Sequence, residues 1–268
     1  MSVKNVELER KPIDAATYPS LLDKAVLITG GASGIGAHLV EAYAEQGAKV
    51  AFFDIDADAG QTIADQVGKV SRNRPVFMPV NLKDIDSIKS AVSELAEQNF
   101  QFIALVNNAG NDDRLAAEEV TPEYWDDRFA VNLRHQFFVT QALIPHLTAA
   151  GGGSVINMGS NSWMQNASGL ICYTTAKSAI EGLTRCLAKE LGERRIRVNS
   201  IAPGWILTER QLNRAKAIYP DKFNDYLTRQ CLKEFLLPPD VARMALWLSA
   251  DDSRLVTGQT FVVDGGVV

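Results

Sequence analysis

The chain has 268 residues, 46% of them hydrophobic and 22% charged, with a formal net charge of −5. That is enough for one α/β domain with a sizeable core, and the acidic balance without a basic cluster speaks against nucleic acid. Three scattered cysteines, Cys172, Cys186 and Cys231, exclude a disulfide framework or a zinc site, no apolar run reaches the roughly 20 residues of a membrane span, and no signal-peptide core is present, so a cytoplasmic location is expected.

Residues 1–23 read as an N-terminal arm. An apolar run over Ala25–Thr29 is one buried strand, and Gly30, Gly34 and Gly36 follow at once. Ile35, Leu39, Val40 and Tyr43 then recur at helical spacing until Gln46-Gly47, giving strand, glycine-rich turn and helix. A second strand over 49–53 ends at Asp54, and a weak helix over 57–67 comes next. A third strand over 76–80 ends at Asn81-Leu82. An amphipathic helix over 84–98 carries Ile85, Ile88, Val92 and Leu95 on one face. A fourth strand over 102–106 runs into Asn107-Asn108-Ala109-Gly110. One long helix is predicted over 122–149, with Pro122 in its first turn. A fifth strand over 154–158 ends at Gly159-Ser160, and a helix follows over 172–191. A sixth strand over 197–201 ends at Ala202-Pro203-Gly204. A polar helical stretch over 207–236, a helix over 239–249 and a strand over 260–263 complete the chain. Trp125 and Trp247 read as core. No repeat or second-domain boundary interrupts residues 24–268.

Strands apolar on both faces and alternating with helices predict a doubly wound (Rossmann) parallel sheet of about seven strands, with helices on both faces. Ligands of such sheets sit at the carboxyl ends of the strands, where Gly30, Asp54, Asn81, Asn108, Ser160 and Pro203 all fall. A helix opening after the glycine turn directs unpaired N–H groups and its positive dipole end at that turn, which makes a pyrophosphate site at Gly30, Ser33, Gly34, Ile35 and Gly36. Asp54 follows Gly36 by 18 residues and can accept both ribose hydroxyls of an adenosine. It also repels a 2′-phosphate, at roughly 4 kcal/mol per unit charge for like charges ~4 Å apart near a surface. NAD is therefore the expected cofactor, with NADP the weaker alternative.

Tyr173 and Lys177 stand four residues apart on one helix face. A phenol with an ordinary pKa of about 10 is a poor base at neutral pH, and a neighbouring ammonium favours its ionised form. Ser160, thirteen residues upstream at a strand end, is placed to hold a substrate oxygen beside that phenol. Thr29-Gly-Gly-Ala-Ser-Gly-Ile-Gly36, Asn107-Asn-Ala-Gly110, Asn132, Ser160, Tyr173-x-x-x-Lys177 and Pro203-Gly204 together resemble the short-chain dehydrogenase/reductase family over roughly residues 20–268. The resemblance implies that Tyr173 is the acid/base, that Lys177 lowers its pKa and binds the nicotinamide ribose, and that Ser160 orients the reacting oxygen. It implies that Asn132 holds a water linking Lys177 to solvent, that Asn108, Ala109 and Gly110 flank the cofactor, and that Pro203, Gly204, Ile206 and Thr208 cover the nicotinamide. Asn81, where the family usually has Asp before Leu82, can still accept a hydrogen bond from the adenine amine. A homotetramer is implied too, with the helices at 122–150 and 172–192 forming one interface.

The stretches around Asn107–Arg114, Tyr124–Asp126, Val131–His135 and 151–163 are similar to bacterial sugar 1-dehydrogenases, such as the D-xylose, L-arabinose and L-fucose enzymes. That resemblance implies oxidation of the anomeric hydroxyl of an aldose, a small sugar, to its lactone. Asn111, Asn161, Gln165, Asn166, Arg210 and Gln211 supply donors and acceptors for hydroxyls, and Trp163 a face for the sugar's C–H groups. The residues 205–236 are read as an insertion covering that substrate. The competing readings are another carbonyl or sugar-acid dehydrogenase on the same scaffold, and a binding protein that senses the dinucleotide. A metal enzyme is not expected, because His38, His135 and His146 are not at ligand spacing.

Overall fold

The computed structural model describes residues 15–218 and 222–268. Seven strands run in parallel: β1 (Ala25–Thr29), β2 (Lys49–Asp54), β3 (Val76–Pro79), β4 (Phe102–Asn107), β5 (Gly153–Met158), β6 (Ile196–Pro203) and β7 (Thr260–Val263). Their order across the sheet is β3-β2-β1-β4-β5-β6-β7. The chain winds outward from β1 to β3, then resumes on the other side of β1 with β4. The direction of winding therefore reverses between β1 and β4, which opens a crevice at their carboxyl ends.

The helices are α1 (Gly34–Glu45), α2 (Ala57–Gly68), α3 (Ile85–Glu97), α4 (Pro122–Phe129), α5 (His135–Ala149), α6 (Ile171–Leu191), α7 (Glu209–Ile218), α8 (Lys222–Arg229) and α9 (Pro238–Ser249). Alternate residues of β1 serve opposite faces of the sheet. Val26 and Ile28 pack with Leu39 and Tyr43 of α1 and Val241 and Leu248 of α9. Ala25 and Leu27 pack with Ile88 of α3, Val139 and Leu143 of α5 and Leu187 of α6. All five residues of β1 are buried, which is why the strand is continuously apolar rather than alternating.

The structure departs from the predicted elements in three places. The single helix expected over 122–149 is α4, a π-helical segment Ala130–Arg134, and α5. The widened turn centres on Asn132, and such π segments concentrate at functional positions. β6 continues two residues past the predicted end, through Pro203. The insertion is not one helix either. Ile206 and Leu236 form a parallel bridge, α7 and α8 lie between them, and Leu207, Leu212, Ala215 and Leu237 make a small core of their own.

Of the predicted arm, residues 1–14 lie outside the described residues. The part that follows is docked: Tyr18 N–H donates to Gln46 Oε1 at 2.7 Å, and Leu21 is fully buried. Trp125 and Trp247 are half-buried rather than core, each resting on a neighbouring ring, Phe129 and Phe261. Among the described residues no helix is long and apolar enough to cross a membrane.

Candidate active site

The glycine turn is held by backbone. Gly30 and Gly31 N–H groups both donate to Phe53 O, at 2.7 and 3.2 Å, which pulls the turn against the end of β2. Gly30 adopts φ +68°, a conformation that favours glycine. At Gly36 a Cβ would lie 1.7 Å from Gly30 O, so only glycine lets α1 start this close to the turn. No side chain caps α1 at Ser33, and its first-turn N–H groups face the crevice with the positive end of the helix dipole. Ser33 is exposed, and Gly34 and Ile35 are partly so. The turn thus has the donors, the field and the free space that a pyrophosphate requires.

Asp54, the last residue of β2, is fastened to the same turn. Its Oδ2 accepts from Ala32 N–H at 2.9 Å, and its Oδ1 accepts from Ile55 and Asp56 N–H at 2.8 and 3.1 Å. On the far side of the turn, Asn108 Nδ2 donates to Thr29 O and Gly30 O at 3.1 and 3.0 Å, and Ala109 N–H donates to Thr29 Oγ1 at 3.1 Å. Asn81 is exposed beyond β3, its Oδ1 accepting from Lys83 N–H at 3.1 Å, while Leu82 packs on the α3 side of the sheet. Beyond β6, Gly204 is wedged: a Cβ there would lie 2.7 Å from both Asp264 Cβ and Tyr226 Oη. Pro203 and Ile206 are buried. Thr208 approaches the glycine turn, because a Cβ on Gly34 would lie 3.0 Å from its Cγ2.

Ser160, Tyr173, Lys177 and Asn132 converge at the rim of β4 and β5. Ser160 Oγ accepts from Ser162 N–H at 3.1 Å, capping a short 3-10 turn that contains Trp163 and leaving its O–H to donate. Lys177 is 3% exposed. Its Nζ donates to Met158 O at 2.7 Å and lies 5.7 Å from the centroid of the Tyr173 ring. Gly110 fits between Asn132 and Lys177, since a Cβ there would stand 3.1 Å from Asn132 Oδ1 and 3.3 Å from Lys177 Nζ. Asn132 is fully buried. It clamps the backbone of Asn111 from both sides, accepting from its N–H at 2.8 Å and donating to its carbonyl at 3.0 Å.

Burial dominates the electrostatics of Tyr173 and Lys177. Burial pushes Tyr173 up to about 12, helped by the charge of Asp112 and opposed by a hydrogen bond with Ser160. Burial likewise pulls Lys177 down to about 7. Desolvation penalises both charged forms. His135, buried one turn beyond Asn132, is pulled down to about 3 by burial and by Lys177, which keeps it neutral.

Several polar residues read as sugar contacts are already engaged. Asn161 is 3% exposed and donates to Asp264 Oδ2 at 2.9 Å, so it is part of the packing beneath the site. Asn111 Oδ1 accepts from Asp113 N–H at 2.8 Å. Gln165 Oε1 accepts from Arg229 Nη2 at 2.8 Å. Asn166 is an exposed turn residue at φ +54°. Arg210 of α7 reaches back to Asp113 at 3.1 Å and Asp112 at 3.5 Å, and Gln211 donates to Asp112 Oδ2 at 2.9 Å. Trp163 is half-buried.

Sequence reasoning missed two sets of residues. One is a buried ladder of amides and hydroxyls. Asn107 Nδ2 donates to Gln136 O, Thr140 Oγ1 and Asn157 Oδ1, and Asn157 Nδ2 donates to Thr184 Oγ1. It locks α5 to β4, and α6, which carries Tyr173 and Lys177, to β5. The available signal was a pair of Asn residues ending two apolar strands, and these face each other in register. The other set is Asp112 with Arg214, 2.5 Å apart, whose pairing no spacing in the sequence discloses.

Among the described residues no cluster of three or more His, Cys, Asp or Glu suits a metal ion, and the three cysteines are free thiols. A family model described as enoyl-(acyl carrier protein) reductase matches residues 30–268. The chain is 44% identical to D-xylose 1-dehydrogenase of Caulobacter vibrioides and 42% identical to the probable galactose dehydrogenase GalD of Rhizobium meliloti. Each alignment covers 95% of this chain and 99% of the relative. The solved L-sorbose reductase of Gluconobacter frateurii, in complex with NADPH and L-sorbose, superposes with a TM-score of 0.88 at 25% identity. That match covers 94% of this chain and 99% of the reductase. The glycine turn at the crevice and the Ser, Tyr and Lys beside it thus occur in a chain that aligns with these relatives nearly end to end, and the protein belongs to the short-chain dehydrogenase/reductase family of oxidoreductases.

Proposed function

We propose that this protein oxidises the anomeric hydroxyl of an aldose to the aldonolactone, using NAD in preference to NADP. The observation that carries the reading is the placement of Tyr173 and Ser160 beside the buried Lys177, at the rim where the glycine turn and Asp54 would hold a dinucleotide. The nicotinamide, when bound, supplies a hydride acceptor. Tyr173 takes the proton from the anomeric hydroxyl, and Ser160 donates a hydrogen bond to the same oxygen as its charge develops. Lys177, anchored by Met158 O, keeps its Nζ beside the Tyr173 ring, and the buried Asn132 keeps Gly110 and Asn111 against it.

The proposed cofactor choice rests on Asp54, whose two oxygens are fixed by three backbone donors at the end of β2. A carboxylate locked there favours ribose hydroxyls and opposes a 2′-phosphate. The fold alone does not decide this, as the NADPH of the sorbose reductase illustrates. The substrate class rests on the relatives' aldoses and on the polar mouth formed by Asp112, Asp113, Arg210, Gln211 and Arg214. An acyl chain needs an apolar slot there instead. The same proposal makes 205–236 the cover of the substrate and the outer faces of α4, α5 and α6 a homotetramer contact, which sedimentation would measure. A panel of pentoses and hexoses, each run with NAD and NADP while following nicotinamide absorbance, tests the function. Turnover of an aldose with NAD is expected, and none with any aldose would overturn the reading.

A further inference from the structure

The loop after β4 carries a carboxylate that has no individual role in the account above. Gly110 lies against Lys177, Asn111 is clamped by Asn132, and Asp112 comes next, so its position relative to the catalytic candidates is set by backbone. Asp112 Oδ2 accepts from Gln211 Nε2 at 2.9 Å and Arg214 Nη1 at 2.5 Å. Its Oδ1 has a longer contact, 3.5 Å to Arg210 Nη2, which leaves lone pairs for a further donor. Asp112 is close enough to Tyr173 for its charge to act on the phenol. Its side chain is 19% exposed, so it is neither solvated surface nor closed core.

The charges around it are paired. Asp112 pairs with Arg214 and Arg210, Asp113 with Arg210 and Arg128, and Asp127 with Arg128 and Lys83. Asp112 and Asp113 thus face the two α7 guanidiniums, Arg210 and Arg214. Arg210 and Arg214, the cations of α7 at the mouth, are already occupied by acids, so a substrate carboxylate would have to displace one.

We propose that Asp112 sets the charge selectivity of the substrate site: its less engaged oxygen, Oδ1, accepts hydroxyls of an uncharged sugar, and its charge, together with that of Asp113, cancels the α7 arginines that would otherwise admit an anionic one. The proposal rests on the aldose reading. It goes further by excluding hexuronates, which share the anomeric carbon but carry a carboxylate.

The test compares kcat/KM for neutral aldoses and hexuronates in the intact enzyme and two variants. The native enzyme is expected to favour neutral aldoses. Asp112→Asn removes a charged acceptor and frees Arg214, so kcat/KM for the aldose should fall about tenfold or more while the uronate-to-aldose ratio rises at least about tenfold. Arg214→Gln leaves the carboxylate in excess, so the same ratio should fall by about threefold or more. It keeps the question answerable if Asp112→Asn does not fold. A purely structural role for Asp112 would lower both substrates by one common factor in each variant, and that result would overturn the proposal. Equal use of uronates and aldoses by the native enzyme would overturn it too. A native enzyme inactive on every aldose defeats the parent reading before any variant is made, so the two failures are distinct.

Discussion

From β3 to β1 the rim of the sheet is shaped by backbone. The turn hangs on Phe53 O, Asp54 is gripped by three N–H groups, and a single methyl at Gly36 would strike Gly30 O. From β4 to β6 the rim is shaped by side chains: a buried lysine on Met158 O, an asparagine clamping a loop, and arginines of α7 reaching across to Asp112 and Asp113. The contrast has a physical basis. A dinucleotide is an invariant ligand whose pyrophosphate is read by N–H groups at close range, and only absent side chains permit that approach. A substrate that varies between relatives is read by groups that can be exchanged without moving the backbone.

Four substitutions would break or sharpen this contrast. The largest effect is expected on the side-chain half, where Tyr173→Phe should lower kcat by about 10²–10⁴ while NAD still binds. Because burial holds the phenol above its ordinary pKa, its ionised fraction grows as pH rises. The native oxidation rate should therefore climb through the alkaline range, and the residual Tyr173→Phe rate should not. Stopped-flow or steady-state pH profiles check both. On the backbone half, Gly36→Ala should cost more than about 4 kcal/mol of stability, since a carbonyl 1.7 Å away cannot yield. Thermal unfolding and NAD titration would register it, and a native-like protein with normal affinity would contradict the backbone account. Asp54→Ser removes the repulsion without adding a cation, so the NADP-to-NAD ratio of kcat/KM should rise about tenfold or more. The smallest effect belongs to Arg210→Ala. Its guanidinium is half exposed at 52%, and exposed ion pairs contribute at most about 1 kcal/mol. Substrate KM should shift within about fivefold and become less sensitive to salt.

Much of this was readable before the structure, and the exceptions share a cause. Strands such as Ala25–Thr29 are apolar end to end because both faces are covered, and that pattern survives in one dimension. The π segment at Asn132 leaves no such trace, since Val131 to Arg134 fit a helix of either width. The insertion reads as continuously helical because its polar period persists, yet the Ile206–Leu236 bridge folds it back on itself. Asn161 reads as a pocket residue from its place after β5, whereas Asp264, 103 residues away, takes its amide into the interior.

Sequence alone determined the winding of the sheet, the glycine turn with Asp54, and the pairing of Tyr173 with Lys177. Each of these depends on local spacing, on one helical turn or on a strand's end. Tertiary structure alone decided the desolvation of Tyr173 and Lys177 and the joining of Asp112 to Arg214. Desolvation depends on everything packed around a group, and an ion pair depends on segments far apart in the chain meeting in space.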